Sequence, residues 1–180
     1  MNNIRVFLRP IQEGDTEMIV KWRNSDYVRS HSLSKKIITP ESHMEHFRNH
    51  VLTGHYKQFI VEREALEGVV FYPIATVYLK DVDVENKRCE LCVFTSSDQE
   101  WIEECQIEGI KILIKKAFED YGMHKVYSYV FCKYPDEIQL LEKTGLKKEA
   151  MFRNEARELD GTYSDIYRMS ITKEQFDNEK

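Results

Sequence analysis

The 180 residues suit one compact domain, since domains usually have roughly 100–200 residues. Hydrophobic residues make up 42% of the chain and charged residues 32%, a balance that indicates a globular protein and argues against a fibrous or disordered one. Apolar stretches such as Val69–Tyr72 are far shorter than the roughly 18 residues of a membrane span, and we recognise no secretory signal, so we expect a cytoplasmic protein. The formal net charge of -5 argues against attraction to polyanions, and we expect no nucleic acid and no membrane among its partners.

The first third of the chain predicts one strand followed by two helices. The alternation of residues 4–10 is typical of a strand. Asp15 is a candidate N-cap, and the apolar residues after it predict a helix that runs to about Arg23. Residues 24–38 are predicted to be irregular, and Thr39, which precedes a proline, marks the cap of a second helix.

The rest of the chain predicts six more strands and two more helices. The strongest helix begins near Ile102 and ends before Gly122, a natural C-cap. Asp160–Gly161 is the clearest hairpin signal. The other predicted elements are strands at 56–64, 73–80, 88–95, 125–132, 146–158 and 162–171 and a short helix at 135–143.

This order of elements predicts an α/β fold. We expect a single-domain twisted mixed sheet of about seven strands with helices on both faces. The domain should span residues 1–172, and residues 173–180 should form a polar C-terminal tail.

Four cysteines, Cys89, Cys92, Cys105 and Cys132, are too few for a disulfide scaffold in a chain of this size. Cys89 and Cys92 have the spacing of a zinc or redox pair, but they lie in a segment that alternates as a strand. Residues three apart on a strand point to opposite faces, so these two thiols cannot share a metal ion. We therefore expect small core residues here.

Three histidines, His43, His46 and His50, recur at helical spacing and invite a metal interpretation. They flank an apolar stripe, and the first and last are too far apart for all three to bind one ion easily. We expect a solvated helix face and no metal site.

Several short motifs occur in an informative order along the chain. They are Arg9-Pro10, Trp22-Arg23-Asn24, Ile74–Asp83, Cys89-Glu90-Leu91, Glu142–Leu146 and Asp160–Asp165. Each is weak alone, but together they span nearly the whole chain and resemble the GNAT superfamily of N-acetyltransferases. The resemblance is closest to the branch of the ribosomal-protein alanine acetyltransferases and the nucleotide-aminosugar acetyltransferases.

The resemblance implies transfer of an acetyl group from acetyl-CoA to a primary amine by direct attack in a ternary complex. The implied acceptor is a protein or peptide N-terminus or a nucleotide-linked aminosugar, and the implied assembly is a monomer or homodimer. In that family a backbone N–H of the fourth strand, here Cys92, Val93 and Phe94, polarises the thioester carbonyl. The pantetheine chain pairs where this strand separates from the fifth, here Val126–Cys132. Such catalysis rests mainly on positioning and on stabilising the developing oxyanion.

The family's glycine-rich phosphate loop implies further cofactor contacts at the start of the main helix. The expected glycines fall at Glu104 and Gln106, and Gly109 is nearby. Ser97 and Glu100 could instead form a capping box that extends the helix through a degraded loop. The alternative function is therefore a catalytically degenerate binding or regulatory module that does not use acetyl-CoA, and a carrier-protein thioester as donor is a third interpretation.

Two residues are the candidate catalytic groups. Glu90 adjoins the polarising strand and could act as the general base; the alternative is an ordinary strand carboxylate paired with Arg88 or Lys87. Tyr134, at the position of the family's cofactor-binding asparagine, could return a proton to sulfur, and the alternative is a surface aromatic. The family's frequent tyrosine acid corresponds to Leu141, a further cofactor-contact position.

The candidate acceptor-binding residues lie on two segments. Trp22 is most simply core, but Arg23 and Asn24 close the first helix on the side where the family admits its acceptor. An arginine there could bind a phosphate or carboxylate, and a plain salt bridge is the alternative. Tyr163 and Asp165 share a strand face, and they could line the acceptor pocket or simply hold the hairpin.

Overall fold

The computed structural model describes residues 5–65, 68–96 and 102–178. This part of the chain forms one seven-stranded sheet and six α-helices. The strands are β1 (Val6–Pro10), β2 (Lys57–Ala65), β3 (Val70–Asp83), β4 (Arg88–Thr95), β5 (Lys125–Phe131), β6 (Lys147–Arg157) and β7 (Tyr163–Thr172). The helices are α1 (Thr16–Asn24), α2 (Asp26–His31), α3 (Pro40–His46), α4 (Ile102–Glu119), α5 (Pro135–Glu142) and α6 (Lys173–Asn178).

The strands follow the order β1-β2-β3-β4-β5-β7-β6 across the sheet. Every neighbouring pair is antiparallel except β4 and β5, which run parallel because α4 connects them. The predicted α/β fold with a mixed sheet is confirmed.

The parallel pair in the middle of the sheet is incomplete. Arg88–Glu90 pair with Lys125–Tyr127, but β4 continues to Thr95 and β5 to Phe131 beyond the last paired residues. The two strands therefore separate in the direction of their carboxyl ends. Their facing edges leave backbone N–H and C=O groups free to bind an extended ligand.

Helix α4 packs closely against one face of the sheet. Its residues Ile110, Leu113 and Ile114 belong to the larger core cluster with buried side chains of the central strands. A Cβ at Gly109 would lie 2.8 Å from Cγ2 of Val61 on β2, closer than real Cβ contacts. Glycine is therefore required here by the close approach of helix and sheet.

Helices α1 and α3 cover the other face of the sheet. Trp22 is 6% exposed and packs in a second cluster with Ile19, Phe47 and Ile60. Thr39 caps α3 as predicted, since its hydroxyl accepts a hydrogen bond from Ser42 N at 3.2 Å.

Two segments differ from the sequence-based expectation. The region predicted to be irregular contains α2, whose first turn is capped by the Ser25 hydroxyl, which accepts from Val28 N at 3.3 Å. The segment predicted as a polar tail forms α6, and Phe176 packs its ring 5.1 Å from that of Phe118. A six-residue helix with a single aromatic side chain gives no apolar periodicity that could be recognised in the sequence.

The prediction that His43, His46 and His50 form a solvated helix face was also only partly correct. His43 is 5% exposed, and its Nδ1 lies 3.1 Å from the Thr16 hydroxyl, because α3 packs this residue against α1. No cluster of metal-ligating side chains occurs among the described residues. Within the same residues, no helix is long and apolar enough to cross a membrane.

The cysteines lie as the strand alternation predicts. Cys89 is buried in the core beneath α4, and Cys92 lies on the opposite face of β4. All four cysteines are free thiols.

Candidate active site

A cavity of about 540 Å³ lies where β4 and β5 separate. It continues between α4 and α5 on one side of the sheet and reaches α1 and α2 on the other. Its lining residues include Arg23, Tyr27, His31, Tyr78, Lys80, Glu90, Cys92–Thr95, Glu103, Gln106, Ser128–Val130, Asp136, Glu137, Leu140 and Leu141.

The wall formed by β3 and β4 carries a row of four polar side chains. Strand alternation places Glu90 and Cys92 on the cavity face, and the β3–β4 register sets them opposite Lys80 and Tyr78. Lys80 Nζ lies 3.2 Å from Glu90 Oε1, and the Cys92 thiol donates to the same oxygen at 3.2 Å. The Tyr78 hydroxyl is hydrogen-bonded to the Cys92 sulfur.

Burial controls the protonation states in this row. It raises the pKa of the Cys92 thiol well above its usual value, and the Glu90 charge adds to the effect. Burial also raises the pKa of the Tyr78 hydroxyl. Burial opposes the charge of Lys80, but the Glu90 carboxylate beside it keeps the pKa of Lys80 above the usual value. The row therefore holds a neutral thiol, a neutral phenol and a charged ammonium around one carboxylate.

Glu90, the predicted base, lies in the cavity wall and is 6% exposed. The expected alternative pairing with Arg88 or Lys87 is wrong, because Glu90 pairs with Lys80 and Arg88 binds Asp83 at 3.2 Å. The predicted cofactor residues Cys92, Val93 and Phe94 also line the cavity, along the free edge of β4.

Arg23 is the predicted acceptor residue that reaches the cavity. Its Nη2 donates to the Ser34 carbonyl at 2.7 Å, while its buried Nη1 has no hydrogen-bond partner in the described chain. Burial lowers the pKa of the guanidinium. A buried N–H without a partner costs free energy that a ligand oxygen would recover.

Trp22 and Asn24, the neighbours of Arg23 in the predicted acceptor motif, do not line the cavity and instead stabilise the fold. Trp22 lies in the second core cluster, as its simpler interpretation predicted. Asn24 binds the backbone of Ile38 twice, with Nδ2 donating to the carbonyl at 2.7 Å and Oδ1 accepting from the amide at 2.9 Å. It therefore ties the segment after α2 to the end of α1.

Tyr134, the predicted acid, occupies the N-cap position of α5 and makes no side-chain capping hydrogen bond. Its ring stacks on that of His31, with centroids 3.8 Å apart, and meets Phe131 edge to face at 5.9 Å. His31 lines the cavity, whereas Tyr134 is not among the lining residues. The cavity-lining residues of α5 are Asp136, Glu137, Leu140 and Leu141.

The predicted phosphate-loop residues point in different directions. Gln106 lines the cavity, Glu104 is exposed and Gly109 faces Val61 in the core. Glu103, in the first described turn of α4, forms an ion pair with Lys143. Ser97 and Glu100, the expected capping box, lie outside the described residues.

Tyr163 and Asp165 lie in the β6–β7 hairpin and not among the cavity-lining residues. Tyr163 is 58% exposed. Asp165 Oδ1 accepts from the amide of Asn154, which has a φ of 51°, at 2.7 Å. The carboxylate thus fixes an irregularity of β6, in agreement with the alternative that it holds the hairpin.

Among the cavity residues that the sequence did not reveal, three bear on the chemistry: Tyr78, Lys80 and Glu137. The first two belong to the site because of the register between β3 and β4, which no local pattern reveals. Glu137 lies three residues after position 134, which aligns with a cofactor contact of the family. Residues three apart on a helix lie on neighbouring parts of one face, and this spacing was the one signal in the sequence. Burial raises its pKa to about 7.

The cavity fits the thioester arm of acetyl-CoA, a group that the resemblance implies. The free edges of β4 and β5 can pair with the amides of an extended pantetheine chain. Leu140 and Leu141 supply an apolar wall beside them. When bound, acetyl-CoA supplies an acyl group that is already activated as a thioester.

Comparisons with known proteins agree with this fit. Residues 5–147 match the family model described as an acetyltransferase (GNAT) domain. A search of curated proteins finds no match. Among solved structures, the spermidine N-acetyltransferase of Vibrio cholerae in complex with CoA and spermine has a TM-score of 0.80 at 19% identity, covering 95% of this chain and 97% of that one.

A second structure of the Vibrio cholerae spermidine/spermine N-acetyltransferase, in complex with manganese ions, has a TM-score of 0.77 at 20% identity and covers 98% of this chain and 97% of that one. At these identities the likeness shows the fold, and the family model carries the assignment. The chain belongs to the GNAT acetyltransferase family and is an N-acetyltransferase that uses acetyl-CoA.

Proposed function

We propose that this enzyme acetylates a primary amine that carries a hydrogen-bond-accepting oxygen group near the nitrogen. The two acceptor classes that fit are a protein or peptide N-terminus and a nucleotide-linked aminosugar. The observation that carries the proposal is the buried, unpartnered Nη1 of Arg23 in the cavity wall.

Arg23 is well placed for such an acceptor. Its Nη2 is held by the Ser34 carbonyl at 2.7 Å, while Nη1 remains available to bind a ligand. The first peptide carbonyl of an N-terminus, or a phosphate of a nucleotide sugar, would supply the missing acceptor. A linear polyamine has no oxygen to offer.

Glu90 is the proposed general base for this reaction. It lines the same cavity as Arg23 and receives both its hydrogen bonds on Oε1. An uncharged amine is already a good nucleophile toward a thioester, so the base needs only to remove a proton, directly or through water. Free backbone N–H groups of Cys92, Val93 or Phe94 would stabilise negative charge that develops on the carbonyl oxygen.

Glu104, Gln106 and Gly109 were expected to contact the cofactor. Of these, Gln106 is the residue we propose for that role, because it lines the cavity at the start of α4. The inward position of Gly109 favours a packing role. Lys143, beside Glu103, is a cation that could approach a phosphate at this end.

A polyamine is the second candidate acceptor. The structural neighbours include an enzyme crystallised with spermine, and the acidic side chains of Asp136 and Glu137 line the cavity. These carboxylates favour a cationic ligand. The positive charges of Arg23 and Lys80 partly offset the negative charge in the cavity, so a polyamine is the weaker interpretation.

The test is release of coenzyme A from acetyl-CoA with a panel of amines. The panel holds peptides with free N-termini, nucleotide-linked aminosugars, spermidine and spermine. We expect turnover with a peptide or an aminosugar, and a KM for that amine raised about tenfold or more in Arg23→Gln, the loss of one charged hydrogen bond. Lys21→Gln, an exposed lysine on the same helix, is the matched control. Turnover of polyamines alone would refute the proposal.

A further inference from the structure

One acid in the cavity has no assigned task. The cavity carboxylates other than Glu137 are engaged or exposed: Glu90 binds Lys80 and Cys92, Glu103 binds Lys143, and Asp136 is exposed. Glu137 is partly buried and has no ion pair or hydrogen bond with any residue that the structure describes. A carboxyl group held in this way is expected to be functional when it faces a reaction cavity.

The position of Glu137 suits a role in protonating the leaving group of the reaction, the coenzyme A sulfur. It projects from α5 into the cavity that opens between the free edges of β4 and β5. Glu90, the proposed base, lines the same cavity from β4. Both carboxyl groups therefore line the one cavity that the thioester would enter.

The expected acid positions are not available for this step. Tyr134 stacks on His31 and is not among the cavity-lining residues, and the position of the family's tyrosine is Leu141, a buried apolar side chain. Glu137 is one turn before Leu141 on the same helix and shares its cavity wall. A thiolate expelled into this partly buried space would be poorly solvated without a proton donor.

We propose that Glu137, in its protonated form, donates its proton to the coenzyme A sulfur as the C–S bond breaks. The amine nitrogen bonds to the acetyl carbon, the electron pair of the C–S bond remains on sulfur, and the Glu137 proton converts it to a thiol. The proton lost by nitrogen passes to Glu90, and Glu137 is reprotonated by solvent. The inference rests on acetyl-CoA use and not on the identity of the acceptor amine.

Burial is the physical basis of the protonated form. It raises the pKa of Glu137 to about 7, so the neutral acid is present at neutral pH and is lost as the pH rises above 7. The other titratable and charged groups that line the cavity are Arg23 on α1, Tyr27 and His31 on α2, Tyr78 and Lys80 on β3, Glu90 and Cys92 on β4, Glu103 on α4, Tyr129 on β5 and Asp136 on α5.

The first experiment needs no acceptor. Coenzyme A is bound to the protein, and its thiol is titrated by the ultraviolet absorbance of the thiolate, with the desulfo-coenzyme A complex subtracted at each pH. Ionised Glu137 beside the sulfur disfavours a thiolate, so we expect the bound thiol to titrate about one pKa unit lower in Glu137→Gln than in the wild type. Glu142→Gln, an exposed residue of the same helix that pairs with Lys148, is the matched control.

The second experiment uses the amine of highest turnover. In Glu137→Gln we expect kcat to fall about 100-fold with unchanged KM for the amine, loss of the decline in kcat above pH 7, and partial recovery in Glu137→Asp. Equal thiol titration in both proteins, a raised amine KM with unchanged kcat, or a rising limb near pH 7 that the variant loses would each overturn the proposal. A protein that does not bind coenzyme A would refute acetyl-CoA use itself, whereas binding without the titration shift refutes only the role of Glu137.

Discussion

Lys80 and Glu90 face each other across the β3–β4 pair, and Lys80 Nζ lies 3.2 Å from Glu90 Oε1. The Cys92 thiol donates to the same oxygen, also at 3.2 Å. Because both donors bind Oε1, proton transfer falls to the second carboxylate oxygen, Oε2. The pair therefore orients the carboxylate as well as balancing its charge.

Replacing Glu90 by glutamine should test its role as base. The amide keeps the shape of the side chain but cannot accept a proton, so we expect kcat to fall about 100-fold while KM for acetyl-CoA is unchanged. Steady-state kinetics with the preferred amine measures the effect. Glu85→Gln, an exposed carboxylate in the turn between the same strands, should leave kcat unaltered. A Glu90→Gln enzyme with full kcat would remove Glu90 from the mechanism.

The fold was predictable because its signals are local. The prediction of β4 at 88–95 matches the structure, and the Thr39 cap and the Asp160–Gly161 turn stand where the sequence indicated. Alternation along a strand and caps at a helix end depend on residues close in sequence. Helix α2 was missed because its six residues are too few for a periodic pattern.

The site was predictable only in part, since it depends on contacts between distant segments. Glu90 and Arg23 were identified from motifs, and both line the cavity. Lys80 joins them through the β3–β4 register, and Tyr134 stacks on His31, a residue of the unrecognised helix. Such pairings are set by tertiary packing, which a single sequence does not reveal.

Gly109→Ala should destabilise the protein without weakening cofactor binding. The new Cβ would lie 2.8 Å from Val61 Cγ2, so helix or strand must shift, and we expect the free energy of unfolding to fall by about 1–3 kcal/mol. Urea unfolding measures the loss. Val61→Ala in the same chain should restore part of it, because the two sites share one contact.

The matched control for this change is Gly14→Ala, since a Cβ there meets nothing within 4 Å. The folded Gly109→Ala enzyme should keep its KM for acetyl-CoA. A raised KM with unchanged stability would instead assign Gly109 to the cofactor site.

Asn24→Ala should loosen the segment that follows α2. The variant loses both hydrogen bonds to Ile38, at 2.7 Å and 2.9 Å, and leaves those backbone groups to find water. We expect a loss of about 1–2 kcal/mol in the free energy of unfolding and faster amide exchange over residues 32–39. Because Ser34 in this segment holds Arg23, KM for the amine should rise as well.

Asn49→Ala, an exposed asparagine beyond α3, is the control for that experiment. Unchanged amide exchange in Asn24→Ala would show that other contacts hold the segment.

The stability of the protein should decline as the pH falls from about 6.5 toward 4, and His46 should contribute to the decline. Burial, assisted by His50 and His43, lowers the pKa of His46 to about 4. In the unfolded chain the ring takes up a proton near pH 6.5, whereas in the folded protein it stays neutral until about pH 4. Between these values the unfolded state binds more protons, so acid favours unfolding.

In His46→Gln the slope of unfolding free energy against pH should become shallower in this window, although a remainder persists because burial also lowers the pKa of His43. Urea unfolding at pH 7.5, 6, 5 and 4.5 measures both proteins. His124→Gln, an exposed histidine, should keep the wild-type slope. Equal slopes in His46→Gln and the wild type would mean that His46 is protonated as readily in the folded protein as in the unfolded chain.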